Sequence, residues 1–184
     1  EPVTLAELKT HLRIDEDDTS LDTHLLSCLM AAREALEEPA DRQLVLATWI
    51  FTMERFPRGR GALVLPRPPL VSVAEILYID GAGEEQVFEP TDQWAVSMGA
   101  DPGYVYLLPG VVWPATASQP DAVRVTFQAG YGTAADVPER AKSAIKLFAG
   151  TLFETDASET LDVGRYAQSD AFRRLVALLW NPCA

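Results

Sequence analysis

Few residues of this chain have types and spacings suited to chemistry. The densest group is the acidic run Asp15-Glu16-Asp17-Asp18-Thr19-Ser20. Clustered carboxylates invite a cation, but a calcium loop needs spaced oxygen ligands, a glycine at its sixth position and a bidentate acid at its twelfth. Counted from Asp15, those positions hold Ser20 and Leu26; counted from Asp17, they hold Asp22 and Cys28. Both registers fail, and the run reads as a connection that sets acids at the positive N-terminal end of a following helix. His11 and His24 are the only histidines. Each sits among leucines, with no serine or cysteine nucleophile motif for a general base to serve, and both read as structural. Arg58-Gly59-Arg60-Gly61 lacks the Gly-Lys-Ser/Thr ending of a phosphate loop. It reads as a turn between strands; the sharper reading is a basic loop touching DNA or an acidic neighbour. Gly130-Tyr131-Gly132 reads as a flexible exit from a strand, and Trp49, Trp94 and Trp113 as packing residues. These residues give no catalytic constellation, no cofactor motif and no metal-ligand set.

Composition narrows the classes further. The 184 residues carry a formal charge of −12, with 48% hydrophobic and 23% charged side chains. That is an ordinary globular balance, and its sign argues against a broad basic face gripping nucleic acid. The acid is uneven. Residues 1–42 hold 4 basic and 11 acidic side chains, whereas the segment from Val163 onward holds three arginines (Arg165, Arg173, Arg174) and one acid, Asp170. The two cysteines, Cys28 and Cys183, are far apart and form no Cys-x-x-Cys motif. A reduced assembly site inside a cell fits this usage, a single long-range disulfide being the alternative. No signal-like segment opens the sequence, and no apolar run approaches the ~20 residues of a bilayer span. The expectation is a soluble protein without membrane partners.

These residues must be positioned by elements of two kinds. Thr4 and Glu7 make a Thr-x-x-Glu capping box, followed by Leu5, Leu8 and Leu12 at helical offsets. A second helix carries Leu21, Leu25, Cys28, Leu29, Ala32 and Leu36, and Pro39 is expected to end it. From Leu44 the period changes to two, with Thr48, Ile50, Thr52 and Glu54 alternating against Trp49, Phe51 and Met53. Strands are expected at 62–65, 75–80, 85–88, 93–97, 104–108 and 123–128, with hairpins at Gly81-Ala82-Gly83 and Gly99–Gly103 and an irregular loop at 109–120. Ile50, Phe51, Val64, Ile76, Tyr78, Val96, Val105, Val123 and Val125 are the expected buried or half-buried positions. Helical spacing returns with Asp136 as cap, Pro138 in the first turn, and a stripe of Ala141, Ile145, Phe148 and Leu152. After a polar stretch, Ser169 caps a last helix with the stripe Phe172, Leu175, Val176, Leu179 and Trp180. The fold class is α+β: a small helical bundle from the N- and C-terminal helices with an inserted antiparallel β domain. Its parts are 1–43, 44–130 and 131–184. Each helical end has one apolar stripe, so the ends should meet, with Leu8, Leu25, Leu29, Ile145, Phe148 and Leu152 in one core.

Several stretches carry a resemblance to a known family. They are the opening Pro2-Val3-Thr4-Leu5-Ala6-Glu7-Leu8-Lys9-Thr10-His11-Leu12-Arg13-Ile14-Asp15, then Ala31-Ala32-Arg33-Glu34, Leu65-Pro66-Arg67-Pro68-Pro69-Leu70-Val71-Ser72-Val73 and Tyr78-Ile79-Asp80-Gly81-Ala82-Gly83. Trp113-Pro114-Ala115, residues 123–132 ending Ala129-Gly130-Tyr131-Gly132, and Val137-Pro138-Glu139-Arg140-Ala141 continue it. Over residues 2–153 the chain resembles the head–tail connector (adaptor, head-completion) proteins of long-tailed bacteriophages and phage-like gene transfer agents. Where that family often has Tyr-Thr-Gly-Arg after the second helix, this chain has Pro39-Ala40-Asp41-Arg42.

The resemblance implies a structural adaptor with no enzyme activity and no cofactor. Such proteins form a ring, commonly of twelve copies, beneath the portal in the particle neck. They join the DNA-filled head to the stopper and tail-side neck protein, and assemble in the bacterial cytoplasm. DNA would pass through without specific binding, since an acidic lumen repels phosphate. The alternatives are a stopper or other neck protein, or a small enzyme with a pocket in the β domain. For the tail, two readings stand side by side. Phe172, Arg173, Arg174, Leu175, Val176, Leu179 and Trp180 either dock on the portal or form a fourth bundle helix covering the third.

Overall fold

The computed structural model describes residues 1–90 and 92–155. The described residues divide into two compact units, one built from residues 1–45 and 132–155, the other from within 46–131.

In the first unit, α1 (Leu5–Leu12) starts at the expected capping box. Thr4 Oγ1 accepts from the Glu7 N–H at 3.2 Å, and the Glu7 carboxylate accepts from the Thr4 N–H at 2.7 Å. Helix α2 spans Asp22–Ala40. Pro39 does not end it but sits inside its last turn. The stop is Asp41, in the left-handed conformation (φ 45°), whose N–H returns to the carbonyls of Glu37 and Glu38. A short 3-10 turn (Ala134–Asp136) precedes α3 (Glu139–Thr155). Asp136 therefore caps differently from the expectation. Its carboxylate reaches back to the Thr133 N–H (2.9 Å) and hydroxyl (2.6 Å), while the Pro138 carbonyl accepts from Ala141 and Lys142 to open α3.

The three helices contact one another pairwise. Leu8, Leu25, Leu29, Ile145, Phe148 and Leu152 are all buried on them. Gly150 lets α3 lie close to α1, since a Cβ there would stand 3.1 Å from Leu12 Cδ2. The expected fourth helix falls on residues outside those described.

In the second unit, β1 (Ala47–Met53), β7 (Val123–Ala129), β3 (Leu70–Ile79) and β4 (Glu85–Val87) form an antiparallel sheet in the order β1-β7-β3-β4. The strands β2 (Leu63–Val64), β6 (Tyr104–Leu107) and β5 (Trp94–Ser97) form a second sheet in the order β2-β6-β5. Their inner faces share one core, including Leu63, Leu65, Ile76, Trp94, Val105, Val125 and Phe127. β3 starts at Leu70, five residues earlier than expected, and reaches full length through two register shifts opposite β7.

Two expected core positions are exposed. Ile50 is 62% exposed and Val64 51%. Side chains alternate along a strand, so Ile50 shares the outward phase of Thr48 and Thr52 while Trp49, Phe51 and Met53 point inward. Val64 lies between the buried Leu63 and Leu65 for the same reason.

Candidate interaction surfaces

The backbone of the α1–α2 connection, with Asp22 at the start of α2, holds a cation that the chain itself supplies. Lys9, on α1, is only 3% exposed. Its ammonium donates to the carbonyls of Glu16 (3.1 Å) and Asp18 (2.8 Å) and pairs with Asp22 Oδ1 at 2.6 Å. The other acids serve the turn: Asp15 Oδ1 accepts from the Asp17 N–H, and Asp18 Oδ1 accepts from the Ser20 N–H and hydroxyl. The Ser20 hydroxyl and N–H hold the Asp18 carboxyl below its ordinary value. Lys9 carried a readable signal, because it lies four residues after Leu5 and three before Leu12, on the leucine face. Among the described residues no group of three or more His, Cys, Asp or Glu is placed to hold a metal ion.

A second polar network anchors the exit from α2. Arg33 pairs with Glu1 (3.1 Å) and Glu37 (2.6 Å). The buried Glu37 carboxylate in turn accepts from Gln43 Nε2 (3.2 Å) and the Leu44 N–H (2.8 Å). Burial pulls the Arg33 guanidinium down, but Glu37 and Glu1 outweigh it and raise it overall.

The remaining candidate residues have mostly structural tasks. The His24 ring meets Phe153 at 5.5 Å, tilted by 45°, and its Nε2 stands 3.8 Å from Cys28 Sγ. His11 is exposed beside an open groove of about 350 Å³, lined also by Leu12, Arg13, Leu147, Gly150, Thr151 and Glu154. In the Arg-Gly-Arg-Gly turn, Arg60 donates to the carbonyls of Leu107 (3.2 Å) and Leu108 (2.6 Å). The Gly61 carbonyl accepts from Trp113 Nε1 at 2.9 Å. Arg60 is thus engaged in pinning its own loop. Trp94 donates to the Phe88 carbonyl at 2.9 Å, and Arg67 lies 4.2 Å over the Trp49 ring. Gly130 and Gly132 both take positive φ (127° and 104°), as the strand exit requires.

What remains on the β unit is its two outer faces. On the three-stranded sheet the outward residues are Val64, Ala95, Ser97, Tyr104 and Tyr106, with Met98 at the rim. None of them is charged. Tyr106 is 41% and Met98 55% exposed, and the Tyr104 and Tyr106 rings meet edge-on at 6.2 Å. The outer face of the four-stranded sheet instead presents Ile50 among Thr48, Thr52, Thr126 and Gln128 together with charges: Arg124 stands opposite Thr52 and 3.6 Å from Glu85, and Glu75 accepts from the Thr126 hydroxyl at 3.4 Å.

This architecture has solved counterparts. The fold is shared with chains of gene transfer agent (GTA) particles. One belongs to the neck of an empty GTA particle computed with C6 symmetry (TM-score 0.71, 23% identity, covering 88% of this chain and 82% of that one). Another belongs to the virion of a native GTA particle (TM-score 0.71, 23% identity, 96% and 88% covered). A third belongs to the neck of the native particle computed with C12 symmetry (TM-score 0.63, 24% identity, 96% and 91% covered). No protein-family model and no curated protein matches the chain. The portal-docking candidates Phe172, Arg173, Arg174, Leu175, Val176, Leu179 and Trp180 lie outside the described residues.

Proposed function

We propose that this chain is a structural protein of the neck of a phage-like particle. In its finer form the proposal is an adaptor: a ring beneath the portal that joins the DNA-filled head to the stopper and tail and lines the DNA channel. The observation that carries it is the near-full-length fold match to chains of GTA necks, across both the helical unit and the β unit. The residue chemistry is compatible. Asp22 and the backbone of the first connection hold Lys9, the Asp15 and Asp18 carboxylates serve the turn, and Arg60 holds its own loop. A chain of net charge −12 offers phosphate little to hold, which suits a channel wall.

In this reading the helices of both chain ends form a bundle that the last helix completes or lends to the portal. The tail's aromatic and arginine side chains are the portal-binding candidates. The ring assembles from copies of the chain in the bacterial cytoplasm, without cofactor or membrane.

Deletion of the gene from particle-producing cells tests the reading. The expected product is DNA-filled heads without tails, restored by supplying the chain. Normal tailed particles in the deletion strain would defeat it. Truncation after Gln168 tests the tail separately. A folded protein that no longer joins heads supports docking, and an unstable one assigns the tail to the bundle.

A further inference from the structure

A strand at the edge of a sheet carries a row of backbone N–H and C=O groups without a neighbour, and folded proteins blunt such edges with brevity, charge, proline or a bulge. Three of the four sheet edges in the β unit are short: β2 has two residues, β4 three and β5 four. β1 is the exception. It runs for seven residues, Ala47–Met53, without a charge, a proline or a glycine. Its register with β7 is unbroken from Ala47 opposite Ala129 to Met53 opposite Val123. Among the described residues, no backbone hydrogen bond joins it to a segment other than β7. Its inward side chains show the same missing neighbour. Trp49, Phe51 and Met53 are only partly buried, whereas Val123, Val125 and Phe127, one strand further in, are at most 1% exposed.

The order of residue types says which strand fits. Read outward from Ile50, β1 is alike in both directions: an aromatic (Trp49, Phe51), a threonine (Thr48, Thr52), then an apolar residue (Ala47, Met53). Laid antiparallel on a second copy of itself about a two-fold axis at Ile50, it sets Ile50 against Ile50, Trp49 against Phe51, Thr48 against Thr52 and Ala47 against Met53. Aromatic pairs and threonine pairs are among the cross-strand pairs that stabilise a sheet. The charges of the sheet stay off this seam. Glu54 falls opposite Leu46 of the second copy. Arg124 lies one strand back, opposite Thr52, and Glu75 and Glu85 lie further back on β3 and β4. Arg67 lies 4.2 Å over the Trp49 ring, and the residue set opposite that ring is Phe51, not a cation.

We propose that two copies of the free chain pair through β1, antiparallel and centred on Ile50, into one continuous eight-stranded sheet. Alternate residues of the two strands supply about six to eight backbone hydrogen bonds. The inference goes beyond the neck reading and does not depend on it. Subunits of a closed ring meet head to tail, whereas this contact is two-fold, so it belongs to the chain before assembly and covers the edge until then. Size sets its strength. A seam about 24 Å long and about 10 Å deep covers roughly 240 Å², under a third of the ~800 Å² that each partner buries in a stable complex. The pair is therefore weak and reversible, as a store of subunits for a ring requires.

Sedimentation of the purified full-length chain should show a monomer–dimer equilibrium between roughly 5 and 500 μM. Ile50→Lys sets two ammonium groups opposite each other and should weaken the dimer at least about tenfold. Its circular dichroism should not change, since Ile50 is 62% exposed. Val112→Lys, on an exposed loop, should leave the equilibrium as it is. In a Cys183→Ser background, with Cys28 buried, Ile50→Cys should give a disulfide dimer on copper–phenanthroline oxidation, because the two Cβ atoms face each other about 5 Å apart. Thr48→Cys alone should not, its two copies lying about 14 Å apart along the strands, but Thr48→Cys mixed with Thr52→Cys should. A chain that stays monomeric throughout the range overturns the inference. So does a dimer indifferent to Ile50→Lys, or one that Thr48→Cys alone cross-links as readily as Ile50→Cys. A ring of free chains without the Ile50→Cys cross-link overturns it too. None of these outcomes bears on the neck reading, which the gene deletion tests.

Discussion

Replacing Lys9 by methionine keeps most of the aliphatic stem and deletes the buried ammonium. The lost contacts are the Glu16 carbonyl, the Asp18 carbonyl and Asp22 Oδ1, at 3.1, 2.8 and 2.6 Å. Removing one partner of a buried ion pair costs about 3–5 kcal/mol when the other charge stays dry. Here the Asp22 side chain is 29% exposed, and the two carbonyls belong to exposed residues, so water can replace part of what is lost. Releasing the ammonium from a buried site returns some hydration as well. The net cost should be about 2 kcal/mol, concentrated in the α1–α2 connection. Helix unfolding in urea, followed by far-ultraviolet circular dichroism, should show the lower midpoint. Amide exchange of residues 16–22 should accelerate about 30-fold. Lys146→Met, on the half-exposed flank of α3, should change stability by no more than about 0.5 kcal/mol. An unchanged midpoint and unchanged exchange in Lys9→Met would show that the ammonium does not organise the connection.

The other expectations are simpler. Asp41→Gly should stabilise the chain by about 1 kcal/mol, since Asp41 holds a left-handed φ of 45° and puts a negative charge at the negative end of α2; a lower melting temperature would refute that. Gly103→Ala should destabilise by about 1–3 kcal/mol, because its Cβ would stand 2.5 Å from Leu70 Cβ; an unaltered melt would show that the β unit yields there. Phe148→Ala should cost about 3–5 kcal/mol in chemical denaturation, and a loss below about 1 kcal/mol would place Phe148 outside the core. Hydrogen bonds from Thr4 hold the Glu7 carboxyl below its ordinary 4.5. The capping-box contribution is thus complete above about pH 4.5 and lost as pH falls through the lowered value. The melting difference between wild type and Glu7→Gln should shrink toward zero in acid, and a difference that grew there would reverse the assignment.

Local signals carried far in this chain because they sit within a few residues of each other. Thr4 and Glu7 announce α1, the glycines at 81 and 83 announce the β3–β4 turn, and the leucine spacing of α2 and α3 marks the sides they bury. Position-by-position burial was less legible where residue type was weighed apart from phase. Ile50 and Phe51 are neighbours on one strand, so they cannot both face one core. Pro39 reads as a terminator, yet the end of α2 depends on the backbone of Asp41, where a glycine would have been the usual mark. The sheet orders β1-β7-β3-β4 and β2-β6-β5 depend on partners up to about eighty residues apart, which no local pattern encodes. The candidate surfaces were legible as residue types only: tyrosines at 104 and 106 were visible, but their outward direction emerged from the register with Val64 and Ala95.

The most direct measurement is a reconstruction of the particle neck, with the side-chain density of the β unit traced for Trp49, Trp94 and Trp113. The account predicts this chain as a closed ring around the DNA channel, in contact with the portal above and the tail-side protein below. A neck fully built from other chains, with this one absent or confined to the tail or capsid surface, would contradict it.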